Sequence, residues 1–439
     1  MKSFKINSNM QHSDIEYRSQ SEIKNFQEKE LKKLLEYLQQ KSRFYQLFFK
    51  KHHIDPAQIN TLEDLTQIHP TTKEDLQSHG SDFVCVEPNQ IVDYITTSGT
   101  LGEPVTFAMT DNDLNRLAYN EYLGFRCANC TSGEVFQLMT TIDRRFMAGL
   151  AYFLGSRMLK SAMIRVGNGI PELQWDSINR FSPTALVAVP SFLLNIIDYA
   201  EKHGINHHAS SVKKVICIGD SIRNIDFSPN TLGKKISERW PGIRLYSTYA
   251  STEMATSFTE CEHGRGGHHH PDLLIVEFLD EHDKPVAQGM PGEVTVSTLG
   301  VEGMPLLRFK TGDISTAHYE PCACGRNSIR LGPVIGRKKQ MIKYKGTTLY
   351  PPALYDILDN IDEIKNYVVE VYTNQIGTDE ILIRIGAENH TESFEKSIKD
   401  HFRAKLRVAP SISFETVDYI SSLQFPAMSR KPVKLIDRR

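Results

Sequence analysis

Short, mostly apolar runs that alternate with helix-like stretches are the feature that most restricts the fold of this chain. The runs lie at residues 162–166, 185–189 and 215–218, and the amphipathic stretches at 192–202 and 231–240 separate or follow them. Strands joined by helices in this order favour parallel sheets that helices cover. The sequence therefore predicts an α/β fold.

The length of the chain predicts more than one domain, because 439 residues exceed what a single hydrophobic core usually supports. The glycine-led charged run Gly336-Arg337-Lys338-Lys339 is a natural junction between two bodies. We expect a large N-terminal body of helix-covered sheets over residues 1–335. A small, mobile α+β domain is expected over residues 336–439.

Three local patterns lead to sharper expectations. Apolar residues at helical spacing predict one long helix over residues 23–49. Acidic residues follow two threonines at 71–75, which is typical of a helix start. Residues 306–309 are predicted to form a strand, and Asp313 is expected on the glycine turn that follows it.

Charge and composition argue against nucleic-acid and membrane partners. Lys and Arg number 51 against 53 Asp and Glu, so the net charge of −2 offers no basic surface for nucleic acid. No window approaches the roughly 20 apolar residues that span a bilayer, and residues 1–22 lack the apolar core of a signal peptide. We therefore expect a cytoplasmic protein.

A candidate phosphate-binding loop follows the run that ends at residue 95. Residues 96–104, Thr-Thr-Ser-Gly-Thr-Leu-Gly-Glu-Pro, hold two glycines and four hydroxyl side chains. Glycine lets backbone N–H groups converge on an anion, and hydroxyls donate to phosphate oxygens. The loop lacks the Gly-Lys-Ser/Thr ending of a Walker A motif, and a polar surface turn is the alternative.

Two further segments have the chemistry of a nucleotide site. Tyr249-Ala250-Ser251-Thr252-Glu253 places a ring, two hydroxyls and a carboxylate together. Mg²⁺ prefers a carboxylate together with phosphate oxygens, so Glu253 suits a metal–nucleotide complex. Asp313, at the end of Arg-Phe-Lys-Thr-Gly-Asp, is an acidic side chain of the kind that accepts ribose hydroxyls.

Together these segments resemble the core motifs of the adenylate-forming superfamily of acyl-coenzyme A synthetases, peptide-synthetase adenylation domains and luciferases. The likeness is strongest to phenylacetate–coenzyme A ligases and covers nearly the whole chain. It is carried by residues 44–45, by 65–75 with the run Thr-Thr-Lys-Glu-Asp-Leu at 71–76, by the phosphate loop, and by residues 249–253, 304–313, 336–346, 350–351 and 430–434.

The resemblance implies a two-step reaction. In that family an acid and ATP give an acyl-adenylate and pyrophosphate, and a thiol, usually that of coenzyme A, then displaces AMP. It implies ATP, Mg²⁺ and coenzyme A as cofactors, with an aryl or arylacetic acid as the expected substrate. A pantetheinylated carrier protein or a protein thiol is the alternative acceptor, and a nucleotide-binding protein without turnover is the alternative from another class. The sequence leaves open whether the protein forms a homodimer.

The resemblance also implies site residues. The β and γ phosphates would be held by Thr97, Ser98, Gly99, Thr100 and Gly102. The remaining nucleotide and coenzyme contacts would be Gly219, Asp220, Tyr249 beside the adenine, Ala250, Ser251, Thr252 at the α-phosphate, Asp313 on the ribose, Arg337 at the hinge and Gly346 near the pantetheine channel. Glu253 would bind Mg²⁺.

Lys431 is the implied catalytic cation. A carboxylate that attacks a phosphate brings two anions together, so the reaction needs fixed positive charge, and Lys431 would supply it at the reacting carboxylate and α-phosphate. A solvated charge in a basic tail is the alternative for this lysine.

Departures from the family pattern fall at three places. Leu101 and Glu103 stand where threonine and lysine are common, so the phosphate loop lacks one positive charge. At the hinge, Lys339 and Gln340 stand where an acidic residue is common. Gly219-Asp220-Ser221 replaces a Gly/Ala-Glu-Pro segment.

A second cluster has the composition of a metal site. Cys261 is followed some sixty residues later by Cys322 and Cys324. Three cysteines and a histidine complete a tetrahedral set, and thiolate-rich tetrahedral sets favour zinc. Free surface thiols are the alternative. Cysteines 85, 127, 130 and 217 are expected to be ordinary buried thiols.

The histidine that completes the set is implied by the resemblance. Some bacterial phenylacetate–coenzyme A ligase-like proteins carry a comparable set, and alignment with them makes His268 the fourth ligand. His263, His269 and His270 would then be exposed or lie outside the ligand set. Four protein ligands leave no open coordination position, so the zinc would be structural.

The acyl pocket is the least specified part of the sequence. Phe146, Tyr152 and Phe153 are candidates for an aromatic wall around a planar acid. Membership of the hydrophobic core is the alternative for all three.

Overall fold

The described residues form two units. The structure is a computed structural model, and it describes residues 14–97, 104–374, 377–387, 391–426 and 432–439. One unit comprises Met1–Thr311 and Ser315–Val334, and the other comprises Gly312–Ile314 and Ile335–Arg439. The expected roles of an adenylation body and a mobile lid remain predictions.

The first unit contains eight α-helices among its described residues: α1 (Gln20–Lys41), α2 (Arg43–Lys51), α3 (Lys73–His79), α4 (Asp111–Cys127), α5 (Met147–Met158), α6 (Pro171–Phe181), α7 (Pro190–Lys202) and α8 (Thr231–Arg239). Short 3-10 turns lie at Ile15–Tyr17, Pro56–Gln58, Glu63–Gln67, Gly80–Phe83, Pro88–Gln90 and His207–Ala209.

Two helices replace the single long helix predicted over residues 23–49, so that prediction was wrong. Ser42 separates α1 from α2 with extended backbone angles (φ −92°, ψ 115°), and its hydroxyl accepts a hydrogen bond from the Tyr45 N–H. A serine in this position satisfies an N–H group at the start of a new helix. The predicted helix start at residues 71–75 is confirmed, because Thr72 and Asp75 form a capping box for α3.

The strands up to residue 334 are β1 (Ile91–Thr96), β2 (Thr106–Thr110), β3 (Val135–Leu138), β4 (Ala162–Arg165), β5 (Ala185–Ala188), β6 (Lys214–Ile218), β7 (Arg244–Ser251), β8 (Thr256–Glu260), β9 (Gly267–His268), β10 (Leu274–Leu279), β11 (Gly292–Thr298), β12 (Phe309–Ser315), β13 (Ala317–His318) and β14 (Arg330–Leu331). All belong to the first unit except Gly312–Ile314 of β12, which belongs to the second. Nine of them form one sheet in the order β13-β14-β9-β8-β7-β6-β5-β3-β4. In this order, neighbouring strands from β7 through β6, β5 and β3 to β4 are parallel. Neighbouring strands from β13 through β14, β9 and β8 to β7 are antiparallel. The predicted α/β class is confirmed.

Helices cover both faces of the parallel strands. On β5, Leu186 packs into a cluster with Trp175 and Trp240, whereas Val187 packs into a different cluster with Phe125. Successive residues of a strand point to opposite faces, so these clusters are the two cores that flank the sheet. Among the helices that the structure describes, none combines the length and the apolar character needed to cross a membrane.

The strand predicted over residues 306–309 begins only at Phe309, and Asp313 lies inside it instead of on a turn after it. The chain before β12 is interrupted at Arg308, whose φ of +47° is in the left-handed region. The Arg308 guanidinium is buried and pairs with Glu277 at 2.9 Å. A left-handed residue cannot continue an extended strand, which explains the later start.

The second unit is a small α+β body. Its strands and helices are β15 (Gly336–Arg337), β16 (Ile342–Tyr344), β17 (Thr347–Leu349), α9 (Pro351–Asp359), β18 (Asn366–Thr373), β19 (Asp379–Gly386), α10 (Glu392–Leu406), β20 (Ser411–Glu415), α11 (Val417–Gln424) and β21 (Leu435–Asp437). Four of the strands form a sheet in the order β20-β19-β18-β21, and β16 pairs with β17.

Candidate active site and metal cluster

Glu253 lies in a hairpin turn at the carboxyl end of a central strand. Strands β7 and β8 are antiparallel, with Ser251 opposite Thr256, so the intervening residues form the turn. The Glu253 side chain is largely buried. Tyr249, Ala250 and Ser251 are the last three residues of β7.

A lysine from a separate helix neutralises this carboxylate. Lys73, the first residue of α3, places its Nζ 3.6 Å from Glu253 Oε1, and the two side chains are 30% and 13% exposed. The partial burial reduces solvent screening, so the pair is more than an ordinary surface contact. In the sequence, Lys73 belongs to a predicted helix start and to a family motif, and it was not singled out. Its place in that motif was the one signal of a functional role.

Arg116 of α4 organises the backbone on the other side of the same turn. The buried guanidinium donates hydrogen bonds to the carbonyl oxygens of Ala255, Leu273 and Leu299 and to the Thr256 hydroxyl. Burial lowers the pKa of Arg116 to about 10. Ala255 has a φ of +46°, which is unusual for alanine, and the Arg116 contact holds its carbonyl in place.

We expect Arg116→Met to destabilise the first unit by about 3 kcal/mol or more, because several buried acceptors lose their donor at once. A shift of the corresponding urea unfolding transition would measure the loss. Arg126→Met is the matched control, since Arg126 is an exposed arginine on the same helix that contacts only the Tyr122 side chain in the described contacts. An Arg116 variant as stable as the control would contradict the assigned role.

Gly219 and Asp220 lie beside this turn in the sheet. They directly follow β6, which is parallel to β7 with Ile218 opposite Thr248. An Asp220 carboxylate oxygen accepts a hydrogen bond from the Ser191 N–H at 3.2 Å, in the first turn of α7. Ligands of open α/β sheets bind outside the carboxyl ends of the strands, and this edge is such a place.

The phosphate loop is described only at its ends. Thr97 and Val105 close its base, because the Thr97 N–H donates to the Val105 carbonyl at 2.9 Å and the Val105 N–H donates to Thr97 Oγ1 at 3.0 Å. The predicted phosphate ligands Ser98, Gly99, Thr100 and Gly102 lie outside the described residues, as does the predicted catalytic residue Lys431.

The predicted nucleotide and coenzyme residues of the second unit lie in two places. Asp313 is paired with Arg337 across β12 and β15, with Arg337 Nε 3.3 Å from Asp313 Oδ1. Gly346 has a φ of +78° in the turn between β16 and β17, a conformation that favours glycine. Their roles toward ribose and pantetheine remain predictions.

The three aromatic candidates for the acyl pocket have different surroundings. Tyr152 is buried in the core, with its ring 5.8 Å from that of Phe125. Phe153 is half-buried, and the Arg165 guanidinium carbon lies 5.4 Å from its ring centroid. Phe146 is half-buried immediately before α5. Tyr152 thus fits the core alternative, and an aromatic substrate wall remains a prediction.

The four predicted metal ligands come together in the first unit. The sulfur atoms of Cys261, Cys322 and Cys324 and a ring nitrogen of His268 all lie within 4.8 Å of one another. Cys261 and Cys322 sulfurs are 3.6 Å apart, and Cys324 Sγ is 3.5 Å from His268 Nε2. Ligand atoms about 2.3 Å from a tetrahedral ion are separated by about 3.8 Å, so the set has the dimensions of a zinc site.

The pKa values of the three thiols shift in different directions: the hydrogen bond with Cys324 and burial raise that of Cys261, whereas those of Cys322 and Cys324 are lowered. Hydrogen bonds from Cys261 and His268 hold the pKa of the Cys324 thiol well below its usual range, although burial acts against them. Burial raises the pKa of Cys322, but the hydrogen bond with His268 acts in the opposite direction, and the Cys322 pKa is lowered overall. Thiolates are the form that binds metal.

Of the other three histidines, His263 is partly exposed, whereas His269 and His270 are buried and lie outside the four clustered ligands, which is the second of the two expectations for them. His269 Nε2 donates to the Leu274 carbonyl, and burial lowers the pKa of His269 to about 4. His270 pairs with Glu16, a buried residue that the sequence analysis did not single out. Its position in the polar N-terminal stretch offered no local signal.

The chain is similar in sequence to two ligases over most of its length. The chain is 27% identical over 383 residues to the phenylacetate-coenzyme A ligase of Thermus thermophilus, covering 86% of this chain and 84% of the relative. It is 27% identical over 366 residues to the phenylacetate-coenzyme A ligase of Escherichia coli, covering 81% of each.

A solved structure shares the fold. The 2-hydroxyisobutyryl-CoA ligase in the postadenylation state matches with a TM-score of 0.84 and 19% identity, covering 99% of this chain and 94% of that one. The family model described as AMP-binding enzyme matches residues 23–303, which is more than half of the chain and includes the Glu253 turn and part of the cysteine cluster. The chain therefore belongs to the AMP-binding enzyme family.

Proposed function

We propose that this protein activates a carboxylic acid with ATP as an acyl-adenylate and transfers the acyl group to the thiol of coenzyme A. The observation that carries the proposal is the Glu253 carboxylate, held at the carboxyl end of a central strand and paired with Lys73, in an AMP-binding enzyme. The names of the relatives support coenzyme A as the acceptor and an aryl or arylacetic acid as the substrate class.

The reaction forms and breaks bonds at two centres. The acid oxygen attacks the α-phosphorus of ATP, and pyrophosphate leaves. The coenzyme A sulfur then attacks the acyl carbon, and AMP leaves with the bonding electron pair. Fixed positive charge lowers the barrier of the first step, because both reactants are anions.

The candidate residues have distinct tasks in this scheme. Glu253 would hold Mg²⁺, which neutralises phosphate charge when bound. The buried Arg116 contacts keep the turn that carries Glu253 in one conformation. Lys431 is proposed as the second cation at the reacting groups, and Asp313 as the ribose ligand.

Lys73 would supply the positive charge that the phosphate loop lacks. Because Lys73 neutralises Glu253 in the ligand-free protein, a metal ion that takes the carboxylate would leave the ammonium for a phosphate oxygen. We expect Lys73→Met to lower kcat/KM for ATP about 10- to 100-fold, the value of one charge-assisted hydrogen bond. Steady-state kinetics at varied ATP measures this, with Lys24→Met, which removes an exposed ion pair with Glu63, as control. Equal kcat/KM in the two variants would exclude the role.

The function is tested by pyrophosphate release from ATP across a panel of aryl, arylacetic and aliphatic acids. The proposal expects release that depends on the acid, with AMP as the second product, and suppression by Lys431→Ala. Coenzyme A and a pantetheinylated carrier protein, added separately, distinguish the two acceptors. Tight ATP binding without release for any acid would instead favour a nucleotide-binding protein without turnover.

We further propose that Cys261, His268, Cys322 and Cys324 bind one structural zinc ion. The donor set and its spacing support zinc, and a four-residue set leaves no position for a substrate. The ion would connect the loop after β8 to the residues before β14, so it would stabilise the edge of the large sheet that continues from the Glu253 hairpin.

A further inference from the structure

A buried ion pair joins the N-terminal 3-10 turn, Ile15–Tyr17, to the cysteine cluster. The Glu16 side chain is 3% exposed. One carboxylate oxygen accepts from Arg326 Nε at 2.6 Å, and the other pairs with His270 Nδ1. A buried carboxylate is stable only when its charge is matched, and both of its oxygens are matched here by residues of the cysteine and histidine loops.

The same guanidinium reaches a proposed metal ligand. Arg326 Nη1 donates to Cys324 Sγ at 3.5 Å, and its guanidinium carbon lies 5.1 Å from the Tyr17 ring centroid. His268 Nδ1, the nitrogen that orienting partners usually contact in such sites, has no hydrogen-bond partner among the described residues. The N-terminal turn therefore contacts the ligand set at Cys324, through Arg326, and not at His268.

Backbone hydrogen bonds strengthen this connection. The Asn327 and Ser328 N–H groups donate to the Glu16 carbonyl at 2.7 and 3.1 Å. The Asn327 side-chain amide donates to the Tyr17 carbonyl at 3.0 Å. The segment that directly follows the Cys-x-Cys ligands thus rests on the N-terminal turn over three consecutive residues, Arg326 included.

We propose that Glu16 and Arg326 are positioning residues for the metal cluster, so that zinc binding and docking of the N-terminal turn strengthen each other. The inference rests on the proposed zinc site. Partners of metal ligands typically change metal affinity 10- to 100-fold when they are removed. Coupling between two binding events is reciprocal, so each effect predicts the other.

The first test measures zinc affinity by competition with a chromophoric chelator on the full-length protein. We expect Glu16→Gln and Arg326→Met each to weaken zinc binding about 10- to 100-fold. The double variant should lose less zinc affinity than the product of the two single fold-losses, because Glu16 acts largely through Arg326. Glu22→Gln is the matched control, since Glu22 is an exposed acid of the neighbouring capping box and glutamine preserves that box.

The second test measures how zinc affects docking of the N-terminal turn, and it needs no variant. Trypsin cleavage after Arg18, whose side chain is 53% exposed, reports undocking of the N-terminal turn. We expect this cleavage to be about 10- to 100-fold faster in zinc-free than in zinc-loaded protein, matching the affinity loss by reciprocity. Circular dichroism of every sample confirms that the compared proteins are folded.

The outcomes separate the inference from the metal site on which it rests. A wild-type protein that binds zinc, with Glu16→Gln and Arg326→Met binding it as tightly, would overturn the inference alone. Cleavage after Arg18 that is indifferent to zinc would do the same. A wild-type protein that binds no zinc would refute the site itself together with the inference. If one variant fails to fold, the other and the cleavage experiment still decide.

Discussion

Replacing Glu253 with glutamine is expected to lower acid-dependent pyrophosphate release at least about 100-fold. Glutamine keeps the size and the hydrogen-bonding oxygen of the side chain but removes the negative charge that Mg²⁺ prefers. A bound metal ion contributes several kcal/mol of charge stabilisation to such a reaction, and every 1.4 kcal/mol corresponds to about a factor of ten in rate. The loss should appear in kcat/KM for ATP and should be partly offset by high Mg²⁺ concentrations.

The comparison for this prediction is Glu281→Gln, which alters an acid in the same unit that is 82% exposed. That variant should keep the wild-type rate. A Glu253 variant within threefold of the wild-type rate at all Mg²⁺ concentrations would show that the hairpin turn does not bind the metal–nucleotide complex.

Replacing Cys324 with alanine is expected to abolish stable zinc binding and to destabilise the first unit. Purified wild-type protein should contain about one zinc ion per chain, and the variant less than a tenth of that after dialysis against a chelator. Zinc that binds only the folded chain stabilises it in proportion to the logarithm of its affinity, so the unfolding temperature should fall with zinc content. Elemental analysis and thermal unfolding measure the two effects.

Cys127→Ala separates ligand loss from the loss of any buried thiol. Cys127 packs against the same cysteines, but its sulfur contacts the Thr259 carbonyl at 3.1 Å and is not one of the four clustered ligand atoms. The Cys127 variant should retain zinc. Equal zinc content in both variants, or zinc-free wild-type protein, would contradict the assignment.

The sequence predicted the parallel half of the large sheet well, for a physical reason. Strands buried on both faces, such as β5, are short apolar runs, and the helices between them are amphipathic, so local pattern and final position agree. The antiparallel edge was harder to predict. Strands β9, β13 and β14 have two residues each, too few for any periodic pattern.

The residues that the sequence analysis missed act through distant contacts. Arg116 bonds to carbonyl groups 139 to 183 residues further along the chain. Glu16 meets Arg326 across 310 residues. Neither position is marked by a local motif, and the buried residues of α4 include Asp113, Asn120 and Glu121, so a polar residue there did not distinguish Arg116. The cysteine cluster lies in a recognisable pattern and was therefore predicted, whereas Lys73 entered only as part of the motif at residues 71–76.

The most direct measurement is mass spectrometry of the wild-type reaction with ATP, Mg²⁺ and the best acid of the panel, with coenzyme A withheld. We expect the acyl-adenylate to accumulate and then to be converted to the acyl–coenzyme A thioester and AMP when coenzyme A is added. Formation of ADP, or the absence of any acid-dependent adenylate while ATP remains bound, would contradict the proposed chemistry.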